Sequence, residues 1–139
     1  NQLLRMLRVD KVTLSILNET LKAYINKEFN LIQTTHQIYK DTDELIEMAN
    51  LVKNSINHPA KVIETKTIVG GGTMPNRLYP SIALAFKGDA EELELKFRKK
   101  RVIGRIENDR FILDFRSIMD KDLNGLIEIC KNIFNERHF

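Results

Sequence analysis

Cysteine is all but missing from this sequence: Cys130 is the single one in 139 residues. No internal disulfide can form, so a reducing compartment is expected and Cys130, set in an apolar helical pattern, reads as a core thiol. Long apolar runs are missing too. No stretch approaches the roughly 18 residues of a membrane span, and neither a signal-peptide pattern nor a low-complexity tract is present, so no membrane association is expected and the chain is assigned to the cytoplasm. A strong excess of one charge is also lacking. Lys and Arg number 22 against 19 Asp and Glu, a net charge of +3, which permits an anionic partner without demanding one.

Catalytic signatures are equally scarce. There is no Ser/His/Asp set at a family-like spacing, no phosphate loop ending in Gly-Lys-Ser/Thr, and no Rossmann fingerprint. His36 has no second His, Cys or carboxylate at a metal-binding spacing, so a structural role is expected and no metal site is assigned. What stands out instead is arginine and glycine, residues that bind and position anions without themselves breaking bonds.

Proline and glycine are few, three and six, yet they concentrate in one stretch, Thr67-Ile-Val-Gly-Gly-Gly-Thr-Met-Pro-Asn-Arg-Leu-Tyr-Pro-Ser81. Gly70, Gly71 and Gly72 permit backbone conformations closed to other residues, while Pro75 and Pro80 stiffen the exit. The loop is read either as a wide surface turn or as a shaped wall beside a ligand. The β-rich run Ala60 to Val69 leads into it and the apolar run Ser81 to Lys87 leaves it; the second is apolar on both faces and therefore central in its sheet.

The other elements follow from periodicity and caps. Arg5 and Arg8, three apart, share one face of a helical turn and are read either as an anion clamp or as ordinary exposed helix arginines. Asp10 caps a packed helix carrying Leu14, Leu17, Leu21 and Tyr24, ending near Asn26. Residues 27–40 are expected to be an irregular connection. Asp41 with Glu44 opens a helix striped by Leu45, Met48, Ala49, Val52 and Ile56, stopped at His58-Pro59. Asp89 with Glu92 opens another, through Leu93 and Phe97, that ends in Arg98-Lys-Lys-Arg101, a solvated basic end or an RNA contact. Val102–Ile106 and Arg110–Phe115 form a hairpin, with Arg105 beside Gly104 able to come close to a ligand. Asp120 caps a last helix through Leu126, Ile127, Cys130 and Phe134. The order predicts an α+β domain with a small, mainly antiparallel or mixed sheet covered by helices, one domain over residues 1–139. Because the sequence opens on Asn1, directly in an amphipathic segment, a piece of a longer polypeptide is expected.

Three ordered motifs resemble one family. Leu4-Arg-Met-Leu-Arg-Val-Asp-Lys11 followed by Thr13-Leu14, then Val69-Gly-Gly-Gly-Thr-Met-Pro75 with Pro80-Ser81, then Val102-Ile-Gly-Arg-Ile-Glu107 with Leu113-Asp-Phe-Arg116, are similar to segments of bacterial selenocysteine synthase, the L-seryl-tRNA(Sec) selenium transferase. The resemblance implies the C-terminal small domain of a fold-type-I enzyme using pyridoxal 5'-phosphate, with residues 1–26 as the helix leading in from a large domain. It implies conversion of seryl-tRNA(Sec) to selenocysteinyl-tRNA(Sec) with selenophosphate, in a large homo-oligomer. Arg5 and Arg8 would then bind the selenophosphate, Arg105 would bind an anionic substrate group, and Gly70, Gly71 and Gly72 would line the active site or a subunit interface. The lysine that carries the cofactor would lie upstream, leaving no catalytic residue within these 139. Two other readings stand beside it: a related lyase acting on a phosphorylated amino sugar or amino acid, and a non-catalytic basic RNA-binding module.

Overall fold

In a computed structural model, which describes residues 7–69 and 77–135, the chain divides into two compact units, Asn1–Tyr39 and Lys40–Phe139. The first holds α1 (Lys11–Ile25), a 3₁₀ turn (Phe29–Leu31) and α2 (Gln33–Tyr39). Asp10 caps α1 as expected: its carboxylate accepts from the Thr13 backbone N–H at 2.9 Å and the Thr13 hydroxyl at 2.8 Å. These hydrogen bonds hold the Asp10 carboxyl below its usual pKa. The other end closes as a Schellman motif, with Lys27 at φ 60°, Glu28 N–H on Ala23 O at 2.9 Å and Lys27 N–H on Tyr24 O at 3.2 Å.

Two expectations for this unit change. The segment 27–40 is not irregular: it folds into the 3₁₀ turn and α2, tied by the Thr35 hydroxyl, which donates to Phe29 O at 2.6 Å and Ile32 O at 2.8 Å. A helix of only two turns shows no sustained period in sequence, so pattern alone misses it. Nor is α1 closely packed. Leu14, Leu17, Leu21 and Tyr24 are all exposed, and only Ala23 of this helix is buried, because its own unit offers just one short helix and a turn to cover it.

The second unit is a four-stranded antiparallel sheet in the order β1-β2-β4-β3, formed by β1 (Ala60–Ile68), β2 (Leu78–Phe86), β3 (Arg105–Glu107) and β4 (Arg110–Asp114). Its helices are α3 (Thr42–Ser55), α4 (Ala90–Lys99) and α5 (Leu123–Asn135). The β2 strand begins at Leu78, earlier than its apolar run suggests, because each residue from Ala60 to Ile68 finds a partner on it, ending at Ile68 opposite Leu78. Placement of β2 between β1 and β4 agrees with its apolar character on both faces. The β3–β4 hairpin starts only at Arg105 and turns through Asn108 and Asp109, at φ 50° and 57°, the left-handed pair that a two-residue hairpin loop needs.

One sheet face carries the core. Period-two alternation sends Ile82, Leu84 and Phe86 of β2 and Phe111 and Leu113 of β4 toward Leu45, Ala49 and Val52 of α3, Leu93 and Phe97 of α4, and Leu126, Cys130 and Ile133 of α5. Phe97 is central, its ring 4.9 Å from Phe111 and 5.4 Å from Phe86. Gly104 serves this packing: a Cβ there would stand 2.5 Å from both Ile112 O and the Phe111 ring. Caps differ in detail. Asp89 accepts from Glu92 N–H at 2.8 Å, whereas Asp41 makes no side-chain cap bond to α3. Asp120 opens a 3₁₀ turn (Asp120–Asp122) ahead of α5 in place of capping it, its carboxylate paired with Lys40.

Gly104→Ala should therefore lower unfolding stability by about 1–3 kcal/mol through overpacking against β4, read by chemical denaturation. Burial pushes the Cys130 thiol up to about 12; at pH 8 a thiol reagent should leave the folded protein unlabelled and modify it on unfolding.

Candidate functional site

The sheet face away from the helices carries polar chemistry. Along β1, Lys61, Ile63 and Thr65 pair with Ala85, Ala83 and Ser81 of β2, while Asp114 and Ile112 of β4 pair with Ala83 and Ala85. Ala83, Ala85 and Ile112 are buried here and form a small apolar patch with Ile63. Arg105 starts opposite Ile112 on β3 and reaches across this face to the far edge of the sheet, where Nη2 donates to Thr65 Oγ1 at 2.7 Å and Lys66 O at 3.1 Å. The small side chains of Ala83 and Ala85 leave the room for that arm.

On the way its guanidinium meets two carboxylates. Nη1 donates to Asp114 Oδ2 at 2.8 Å, and Nε and Nη2 each donate to Glu107 Oε2 at 3.2 Å. Glu107 Oε2 also accepts from Thr65 Oγ1 at 3.2 Å. Asp114 is the hub: its other oxygen accepts from Ser81 Oγ at 2.5 Å and from the Arg116 backbone N–H at 3.1 Å. A carboxylate so supplied with donors is fixed in place. Arg116, just beyond it, is buried and donates from Nε to Pro80 O at 2.8 Å and from Nη1 to Lys40 O at 2.9 Å. Burial lowers its pKa, against the opposing fields of Asp114 and Asp41, and guanidinium basicity leaves it charged.

The expected site residues are distributed as follows. Arg105 is on a strand, as read, but its donors are engaged within the chain. Arg8 lies in the exposed, non-helical segment before α1. Arg5 and Gly70, Gly71 and Gly72 lie outside the described residues. Asp114 and Arg116 stand in one of the quoted motifs without a local signal of their role, since an acid two residues before an arginine is unremarkable until the sheet brings Ser81 and Arg105 to it. Lys40 likewise has no local signal in the sequence. It is the single buried lysine among the described residues, paired with Asp120 and 3.6 Å from Met48 Sδ.

Lys40 allows a test of the cofactor. A pyridoxal phosphate site needs a lysine amine together with donors for a dianionic phosphate. The hollow at Lys40 is lined by Glu44, Glu47 and Asp120, carboxylates that repel phosphate, and the amine is already paired. The hollow at Lys40 does not fit this cofactor. No cluster of His, Cys, Asp or Glu among the described residues is placed to hold a metal ion, and no helix among them is long and apolar enough to cross a membrane.

Residues 1–119 match the family model described as L-seryl-tRNA selenium transferase. Among curated proteins, the L-seryl-tRNA(Sec) selenium transferase of Campylobacter concisus is 57% identical over 129 residues, covering 93% of this chain and 29% of the relative. That of Campylobacter fetus is 57% identical over 136 residues, 98% of this chain and 31% of the relative, and that of Campylobacter lari is 47% identical over 135 residues, 97% and 30%. The chain thus spans about 30% of the length of these relatives.

The Asp114 hub yields an ordered expectation. Asp114→Ala strands several buried donors and should cost about 2–4 kcal/mol, whereas Arg105→Ala, at a site 38% exposed, should cost only about 1 kcal/mol. In urea denaturation the double variant should lose less than the sum, because the two residues share one network.

Proposed function

Since this chain belongs to the L-seryl-tRNA selenium transferase family, we propose that it is part of an enzyme that converts seryl-tRNA(Sec) to selenocysteinyl-tRNA(Sec) with selenophosphate as selenium donor. The observation that carries this reading is the match of residues 1–119 to the family model, alongside 57% identity to transferases of that name. Because the relatives are about three times longer, the activity belongs to the longer polypeptide, of which residues 1–139 would be the C-terminal small domain and residues 1–26 its lead-in. The enzyme would work in the cytoplasm as a homo-oligomer. Pyridoxal 5'-phosphate would be held outside this stretch, in keeping with the mismatch at Lys40.

Within that enzyme the residues of this chain bind and position. Arg5 and Arg8 are proposed to hold selenophosphate, each offering a planar fork of donors to phosphate oxygens. The exposure of Arg8 leaves it accessible to such a ligand. Arg105 is proposed to take an anionic group of the substrate by exchange: Glu107, 41% exposed, is the partner an incoming oxygen would replace, while Asp114 keeps the guanidinium in place. Gly70, Gly71 and Gly72 would form a wall of the site or of a subunit interface.

In the full-length protein, Arg5→Ala with Arg8→Ala should reduce selenium transfer by two or more orders of magnitude, on the scale of losing positioned anion donors, while leaving tRNA binding nearly intact. Separate assays of transfer and of tRNA affinity decide it; parallel loss in both would sink the assigned role.

A further inference from the structure

The end of the exposed sheet face farthest from Asp114 holds a hollow of about 460 Å³ with a different electrostatic character. Three cations line it: Lys61 from β1, Lys87 just past β2, and Arg110 at the start of β4. Asp109 is the one carboxylate in the lining, and Ala85 and Phe86 contribute apolar atoms to it. Register explains the convergence. Lys61 is paired with Ala85; Lys87 follows two residues after Ala85, and Arg110 stands two residues before Ile112, the partner of Ala85 on β4, so period-two alternation brings all three toward one face. The backbone at Lys87 is held from both sides: its N–H donates to Pro59 O at 3.0 Å and its carbonyl receives His58 Nε2 at 2.6 Å. His58 is in turn stacked 4.0 Å from Phe134, so the cation projects from a firm base.

Like charges facing each other across strands are unfavourable unless an anion lies between them. Elsewhere on this face the cation Arg105 is neutralised by Asp114 and Glu107; here three positive groups line a hollow with one carboxylate, Asp109, and Glu107, set opposite Arg110 on β3, is already bonded to Arg105. We propose that this hollow binds the phosphodiester backbone of RNA. The three cations are exposed and spread along an open rim, which suits successive phosphates of an extended polyanion better than the buried donors that a single small phosphate requires. The inference rests on the reading of the full-length protein as an enzyme acting on an aminoacylated tRNA.

The test uses the full-length protein carrying Lys61→Gln, Lys87→Gln and Arg110→Gln together, and a charge-matched control with Lys27→Gln, Lys53→Gln and Lys121→Gln at other exposed positions. Binding of seryl-tRNA and of a short RNA duplex of arbitrary sequence is followed by fluorescence anisotropy over a salt series. The triple variant should bind both RNAs on the order of tenfold more weakly at physiological salt, with the log–log salt slope reduced by about 2–3, and the control should change much less. Equal weakening in the control, or unchanged affinity and slope in the triple variant, overturns the inference while RNA binding by the unaltered protein leaves the tRNA reading standing. Failure of the unaltered protein to bind either RNA overturns both. If the triple variant loses affinity for inorganic phosphate but not for RNA, a small phosphate ligand replaces RNA as the occupant and the inference falls.

Discussion

The Asp114 carboxylate is the constraint on which the second unit depends. One oxygen takes the Arg105 guanidinium from β3; the other takes the Ser81 hydroxyl from β2 and the Arg116 backbone at the exit of β4. Donors 33, 9 and 2 residues away in the chain thus meet at one anion. Desolvating a carboxylate costs several kcal/mol, and only full complementary hydrogen bonding offsets it. The geometry around Asp114 is consequently cooperative: each donor is held in part because the others already hold the acceptor. Arg105 extends the tie to the far edge of the sheet through Thr65, and Arg116 extends it to the carbonyls of Pro80 and Lys40.

This arrangement divides labour between the two sheet faces. Phenylalanine and branched aliphatics fill the helix side, where Phe86, Phe97 and Phe111 interlock. The other side has alanines at its centre, and arginine with carboxylates replaces the missing layer of helices at one end. Apolar burial stabilises the first face, and the second adds specificity of strand arrangement, since a slipped register would leave Asp114 without its donors.

Much of this was legible in the residues alone, for reasons that differ from element to element. The stripe Leu45, Met48, Ala49 and Val52 announces its helix because burial demands a 3.6-residue period, and the five apolar residues after Ser81 announce a central strand because both faces must be covered. The left-handed pair Asn108-Asp109 is a turn by its chemistry. Contacts between distant residues leave no such local trace. That Arg105 would spend its donors on Thr65, forty residues earlier, depends on strand order, which periodicity does not encode. Likewise the role of Gly104 in the approach of Phe111, and the burial of Lys40 against Asp120, exist only once the chain is folded. The family resemblance, by contrast, was carried by short motifs in the right order, and the match over residues 1–119 bears it out.

The strand order also settles how the sheet meets its surroundings. Among the described residues the sheet ends in β1 on one side and β3 on the other, so each of these strands presents an edge to another strand, apart from Lys66 O, which Arg105 occupies. The two edges are guarded by different means. β3 is only three residues long, too short to template much pairing, while the nine-residue β1 carries the exposed charges Lys61, Glu64 and Lys66 along its length. An approaching strand would have to desolvate those charges at every second or third residue, so they make the long edge resist non-specific sheet extension and aggregation.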